Sequence, residues 1–276
     1  MKKSKQYFII GMVCAVFVLI AVLNFFIGVK PLNAHYIRLE VNPKVEFITD
    51  KNNIVTSVMP LNNEAFELLI QENFIGLEIE KASEKFIDLC TRANYINPES
   101  ETNAVRLTVV SGFMQALELK VYESINNYFL ENEIFGVIVE NDNDRTEIKD
   151  AKDRKIASAN KLALMKSICL LDSSYTLENL TDKTETELLE ILKELHKNSG
   201  YNPDIYTNEQ LTNKSRLIDS NRTRFEEHKK NLTNESRREF QKEYDEYKRE
   251  TLQKYEPDFD SKYDDWIGYK AKDITA

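Results

Sequence analysis

The bond between Asn42 and Pro43 is where the sequence suggests covalent chemistry. In most Asn-X pairs the next backbone nitrogen attacks the side-chain amide and the asparagine deamidates, but Pro43 has no N–H, so that route is closed. The reverse attack remains: the Asn42 amide nitrogen adds to the Asn42 carbonyl carbon, a succinimide closes, and Pro43 becomes a new N-terminus. A fold that holds these atoms together, or strains the local backbone, lowers the barrier. Asn42 and Pro43 are therefore candidate self-cleavage residues; the alternative is that the proline only kinks a strand.

The segment that must position this bond, residues 36–47, is predicted to be one half-buried strand. Apolar residues fall on odd positions and polar residues on even positions, which predicts one apolar face and one wet face. Pro43 lies on the apolar side without an N–H for a ladder, so we expect a bulge, an edge or a break there. Three nearby side chains could assist proton transfer, although each has a plainer role as a solvated residue: His35, Glu40 and Glu46.

The following elements predict an α+β domain of two layers, with a mixed sheet and the element order ββαβαβ. Turn residues, alternation and helical spacing place a turn at 50–53, strands at 54–59, 105–109 and 135–139, and helices at 78–94 and 114–128. Two helices, which we expect to cover one face of the sheet, are followed by two more at 150–171 and 185–197. Thr184 and Glu187 form a capping-box pattern, and Gly200 is a helix stop.

The C-terminal part becomes charged and amide-rich after the α+β domain, which is predicted at 34–200. We expect a charged helical arm at 201–256, solvated and loosely packed, and a flexible tail at 257–276. A narrow aromatic stripe runs along the arm at Phe240, Tyr244, Tyr247 and Tyr255.

The N-terminal part contains an apolar run at 7–29 that is long enough to cross a membrane as a helix. Lys2, Lys3 and Lys5 precede it, and no small-residue cleavage site follows it, so we expect an uncleaved single-pass anchor. The positive-inside rule then places a short stub, residues 1–6, in the cytoplasm and the C-terminus outside the cell membrane.

Composition argues against several other functions. A formal net charge of -9 disfavours nucleic acid as a partner. No cofactor or metal is expected: the acidic loop at 141–147 lacks the glycine and the distant glutamate of an EF-hand, which favours a plain solvated loop over a calcium site. The three cysteines lack metal-ligand spacing and are interpreted as buried thiols: Cys14, Cys90 and Cys169. The three histidines are dispersed, so we do not expect an enzyme acting on a separate substrate: His35, His196 and His228.

The run YIRLEVNPKVEF at 36–47, followed by NIVTSVMPLN at 53–62, resembles the extracytoplasmic middle domain of the anti-sigma-I factor family. The resemblance continues to about residue 198. It implies a single-pass membrane protein that cuts itself between Asn42 and Pro43, while sheet pairing keeps the pieces together. Separation would expose the membrane stump to an intramembrane protease, which releases the sigma factor in that family.

This sequence departs from the family pattern in two ways. Glu40 stands where the family usually has Asp and Lys44 where it usually has Ser, which leaves cleavage itself open. The second departure is that only residues 1–6 precede the apolar run, so we expect no direct contact with a sigma factor from this chain. The alternative to a self-cleaving sensor is a non-cleaving anchored protein whose C-terminal arm binds cell-wall polymer or another envelope protein.

Overall fold

The computed structural model describes residues 34–111 and 114–256, and within them five strands form one mixed sheet of order β3-β2-β1-β4-β5. Strand β2 pairs antiparallel with both β1 and β3. Strand β4 pairs antiparallel with β1, and β5 runs parallel to β4. Strand β1 is therefore the central strand and is hydrogen-bonded along both edges. The strands are β1 (Ala34–Glu40), β2 (Lys44–Asp50), β3 (Val55–Pro60), β4 (Asn103–Val110) and β5 (Gly136–Glu140).

Nine helices accompany the sheet in the same described ranges. They are α1 (Asn63–Leu69), α2 (Ile79–Arg92), α3 (Met114–Glu131), α4 (Arg145–Asp153), α5 (Ala159–Leu171), α6 (Leu177–Leu180), α7 (Glu185–Asn198), α8 (Asn208–Lys230) and α9 (Asn234–Leu252). Sequence patterns among neighbouring residues predicted most of these elements. The turn at 50–53 holds Asn53 at a φ of 65°, the Thr184 capping box opens α7, and Gly200 adopts a φ of 68° after that helix ends.

The segment at 36–47 is not one strand but a hairpin, so that part of the prediction was wrong. Strands β1 and β2 pair from Ala34 opposite Asp50 to Glu40 opposite Lys44, and only three residues, 41–43, connect them. The expected break at Pro43 is confirmed, because the proline lies in this connection, where a missing N–H costs no ladder bond.

One face of the sheet packs on α2 and α3, as predicted. Ile37, Leu39, Val45 and Phe47 are fully buried there, and the Phe47 ring lies 6.5 Å from the ring of Phe86 on α2. Each such large apolar side chain contributes about 1.5–3 kcal/mol by burial. The sheet side of this core consists of Ile37, Leu39, Val45, Phe47, Val105, Leu107 and Val109.

The other face is largely covered by protein and is wet only near the β1–β2 turn, which corrects both the wet-face and the two-layer predictions. Helices α5 and α7 cover it, with contacts to β1, β3 and β4. Tyr36 and Glu46, both on even positions, are 0% exposed. A polar residue can be buried there because helices α5 and α7 supply hydrogen-bond partners for its side chain. The domain therefore has three layers, helices on both faces of the sheet.

The C-terminal arm is also different from the prediction of one loosely packed helix. It consists of two helices, α8 and α9, and Thr233 caps the start of the second. Phe240 and Tyr244 on α9 are 8% and 0% exposed and belong to the main core. The Tyr244 hydroxyl donates a hydrogen bond of 2.8 Å to the carbonyl oxygen of Gly136 at the start of β5. The aromatic stripe is thus a packing surface.

The predicted stub at 1–6, the anchor at 7–29 and the tail at 257–276 lie outside the described residues. Among residues 34–111 and 114–256, no helix combines the length and apolar character needed to span a bilayer.

Candidate functional site

The Asn42-Pro43 bond lies at the tip of the β1–β2 hairpin. Asn42 is exposed and Pro43 is buried, so the bond runs from solvent toward the apolar core. The Val41 N–H donates a hydrogen bond of 3.0 Å to the Pro43 carbonyl oxygen and closes the three-residue turn. The Asn42 side chain forms no hydrogen bond with any described residue, so its amide is uncommitted.

Asn62, between β3 and α1, holds both sides of this bond. Its amide nitrogen donates a hydrogen bond of 2.6 Å to the Asn42 carbonyl oxygen. Its amide oxygen accepts from the backbone N–H of Lys44 at 3.0 Å and from that of Ala65 at 3.1 Å, the latter as the N-cap of α1. Leu61 N–H also donates to the Lys44 carbonyl oxygen at 2.9 Å. Asn62 ends the stretch 53–62 that carries the family resemblance, but no role was predicted for it; its signal is an asparagine in a helix-capping position directly after a strand.

Two other Asn-Pro bonds occur in the chain, at Asn97 and Asn202, and in both the asparagine side chain already forms a hydrogen bond. The Asn97 amide oxygen accepts from the Glu99 N–H at 3.0 Å, and the Asn202 amide oxygen accepts from the Asp204 N–H at 2.9 Å. These are Asx turns, which hold the side chain on the residue two positions ahead. Asn42 differs from both in having a free side-chain amide.

Charged residues surround the base of the turn. Glu40 pairs with Arg38 on the same strand and lies 3.5 Å from Lys44 and 4.0 Å from Arg106. Burial opposes ionisation of Glu40, but the Arg38 guanidinium, with Lys44 and Arg106, holds the pKa of Glu40 below its ordinary value. Glu40 and Lys44, the two residues that differ from the family pattern in this segment, thus form an ion pair at the base of the hairpin.

A buried polar cluster, here called the Glu46 cluster, lies behind the hairpin. The Tyr36 hydroxyl donates to Oε1 of Glu46 at 2.7 Å, Ser167 of α5 donates to the same oxygen, and Nε2 of His196 lies 3.3 Å from Oε2. Ser57 of β3 contacts Nδ1 of His196 at 3.0 Å. Burial and the neighbouring Glu46 raise the pKa of the Tyr36 hydroxyl well above its ordinary value.

The three candidates for proton transfer were expected to be solvated, but the structure buries or pairs each of them. His35 is buried at the far end of β1, opposite Thr49 and roughly 20 Å along the strand from Asn42. Burial lowers the pKa of His35, with Asp50 opposing the shift. Glu46 is hydrogen-bonded within the Glu46 cluster, and Glu40 is held in ion pairs. Of the dispersed histidines, His196 is the one that the fold brings to Glu46.

The remaining candidates also have structural roles. Asp144, in the loop at 141–147, caps α4 through the N–H groups of Thr146 and Glu147 and pairs with Arg106 at 2.8 Å, so this part of the loop is not simply solvated. Within the described ranges no three metal-binding side chains come together. Cys90 is buried, which raises the pKa of its thiol, Cys169 is half-buried, and Cys14 lies outside the described residues.

Comparison with known proteins points to anti-sigma factors. Residues 34–167 match a family model described as the anti-sigma factor RsgI-like central domain. Anti-sigma-I factor RsgI7 of Acetivibrio thermocellus is 28% identical over 190 residues, which are 67% of this chain and 34% of that protein. The chain therefore spans about a third of the length of this relative. The matched segment contains Asn42, Pro43 and Asn62 and ends at Ser167 of the Glu46 cluster.

Proposed function

Because residues 34–167 match the RsgI-like central domain of anti-sigma factors, we propose that the chain is a membrane-anchored extracytoplasmic sensor module that cleaves itself at Asn42-Pro43. One observation carries this proposal. Of the three Asn-Pro bonds, the one in the β1–β2 turn has a side-chain amide without a competing hydrogen bond, and its carbonyl oxygen accepts one from Asn62. The reaction is intramolecular and needs no cofactor.

The position of the bond also suits a protein that must stay assembled after it is cut. Cleavage would leave β1 as the last part of the N-terminal piece, residues 1–42. That strand is paired with β2 on one edge and β4 on the other, and its residues Ile37 and Leu39 are fully buried. Ladder hydrogen bonds and apolar burial do not depend on the covalent bond, so the pieces remain joined.

Signalling would then begin when an outside force or ligand draws β1 out of the sheet. The membrane-bound stump is in this proposal a substrate for an intramembrane protease. Because β1 is central, its removal breaks both ladders and opens the core, so the cut domain resists release until a defined load is applied.

The test uses the full chain, produced in lipid nanodiscs and then denatured. We expect two pieces, residues 1–42 and 43–276, with Pro43 as the new N-terminus by sequencing. N42A should give one intact chain, whereas the matched controls N97A and N202A should still be cut at Pro43. A wild-type chain that stays whole after prolonged incubation would contradict the proposal and favour the anchored, non-cleaving interaction protein.

That alternative assigns the binding of wall polymer or an envelope protein to the C-terminal arm. The packing of α9 argues against a free arm, because Phe240 and Tyr244 face the main core. A binding partner would have to use the outer face of α8 and α9 instead.

A further inference from the structure

We infer that Asn62 is a catalytic residue for the cleavage of the Asn42-Pro43 bond, where it stabilises the negative charge that develops on the Asn42 carbonyl oxygen. This inference rests on the proposed function. It begins from the contact of 2.6 Å between the Asn62 amide nitrogen and that oxygen.

The bonds formed and broken show where a donor is needed. The Asn42 side-chain nitrogen attacks the Asn42 carbonyl carbon, and the π electrons of the carbonyl move onto its oxygen. When the carbonyl re-forms, the bond to the Pro43 nitrogen breaks, and a proton from the attacking nitrogen ends on Pro43. The products are a C-terminal succinimide at Asn42 and a free proline amine. A hydrogen bond that is already in place at this oxygen becomes strongest when the oxygen carries the negative charge of the intermediate.

The orientation of the Asn62 side chain is fixed by its other contacts. Its amide oxygen accepts from two backbone N–H groups, those of Lys44 and Ala65. If the amide were turned the other way, its N–H group would face the backbone N–H groups of Lys44 and Ala65. The nitrogen must therefore face Asn42. No reorganisation is then required when charge appears on the Asn42 oxygen.

Helix capping alone does not explain the amide group. Capping of α1 uses only the Asn62 oxygen, and aspartate or serine would serve equally well. The amide nitrogen is free for a second task, and it is directed at the carbonyl that must be attacked.

Asn97 offers an internal comparison. Its carbonyl oxygen also accepts from a side-chain amide, that of Asn103 at 2.9 Å, but its own side chain is held in an Asx turn. Asn42 combines the donor with a free nucleophile. We therefore expect the donor to accelerate cleavage only where the attacking amide can move.

The experiment replaces the donor and retains the cap. N62D keeps an oxygen for Lys44 and Ala65 but puts a carboxylate where the amide N–H was. Full chain is synthesised with a short radioactive pulse into lipid nanodiscs, and the appearance of piece 43–276 is followed on denaturing gels. Removal of one such donor slows related reactions about 100- to 1,000-fold. We expect a loss of this size with an unchanged melting temperature; N73D, at an exposed turn asparagine, should cleave like the wild type.

A pH series separates catalysis from a structural role. Protonation of the carboxyl introduced by N62D restores an O–H donor, so the ratio of the N62D rate to the wild-type rate should rise as pH falls toward about 4. A folded N62D chain that cleaves at the wild-type rate, or a slowed chain whose ratio does not change with pH, would overturn the role of Asn62 and leave self-cleavage intact. An uncut wild-type chain would overturn both.

Discussion

The hydroxyl of Tyr36 donates a hydrogen bond of 2.7 Å to Oε1 of Glu46 in the fully buried space between the sheet and α5. The two residues lie on opposite sides of the Asn42-Pro43 bond. Tyr36 also contacts the Ser167 hydroxyl at 3.0 Å. The Glu46 cluster is therefore a polar link between the two pieces that cleavage would create, and it can supply part of the resistance to their separation.

Removal of the Tyr36 hydroxyl should weaken that link. Y36F keeps the ring but loses a buried hydrogen bond worth about 1–3 kcal/mol, so piece 1–42 should leave piece 43–276 about five-fold to 100-fold faster. The measurement is release of labelled 1–42 from immobilised 43–276 in moderate urea. Y175F, at a half-buried tyrosine outside the Glu46 cluster, is the control. Equal release from Y36F and wild type would show that apolar pairing alone holds β1.

Lys44 should be replaceable by the serine of the family pattern. The turn uses the backbone N–H and carbonyl of Lys44, while its side chain is 44% exposed and lies 3.5 Å from Glu40. Because the Lys44 end of this ion pair is exposed to solvent, the pair contributes about 0–1 kcal/mol. We expect K44S to cleave within about five-fold of the wild-type rate in the pulse experiment. Complete loss of cleavage would show that the side chain takes part in the reaction.

The elements that the sequence predicted correctly are those whose structure depends on neighbouring residues. The turn at 50–53, the capping box of α7 and the buried stripe of α2 depend on residues within a few positions of each other, and all are confirmed. The hairpin was mistaken for one strand because a three-residue connection hardly interrupts alternation. Its break at Pro43 was nevertheless predictable from the missing N–H.

Contacts between distant residues were not predictable from such patterns. Glu46 appeared solvent-facing because its partners, Ser167 and His196, lie 121 and 150 positions away. The charged residues of α9 concealed a core surface, since a stripe of one aromatic residue per turn gives little periodic signal. Asn62, 20 positions after Asn42, became a candidate only when the fold placed its amide on the Asn42 carbonyl.

Acid should weaken the base of the hairpin through Glu40. Its pKa in the folded protein lies below the ordinary value of 4.5, so the ionised form is the one that folding favours. The contribution to stability is therefore complete above the unfolded-state pKa and is lost as pH falls through the lower, folded-state pKa. The difference in unfolding free energy between wild type and E40Q should shrink from about pH 6 to about pH 3 in urea titrations. E178Q, at an exposed glutamate, should show no such convergence.

The C-terminal helices should be required for the stability of the domain. Phe240 on α9 is 8% exposed, and its ring lies 4.7 Å from that of Phe135, next to β5. Truncation of a buried phenylalanine costs about 3–5 kcal/mol, so F240A should lower the urea midpoint markedly. L170A, at a helical leucine that is 63% exposed, should change the unfolding free energy by about 0.5 kcal/mol or less. If F240A were as stable as L170A, α9 would be a detachable arm, and the interaction-protein alternative would regain its binding surface.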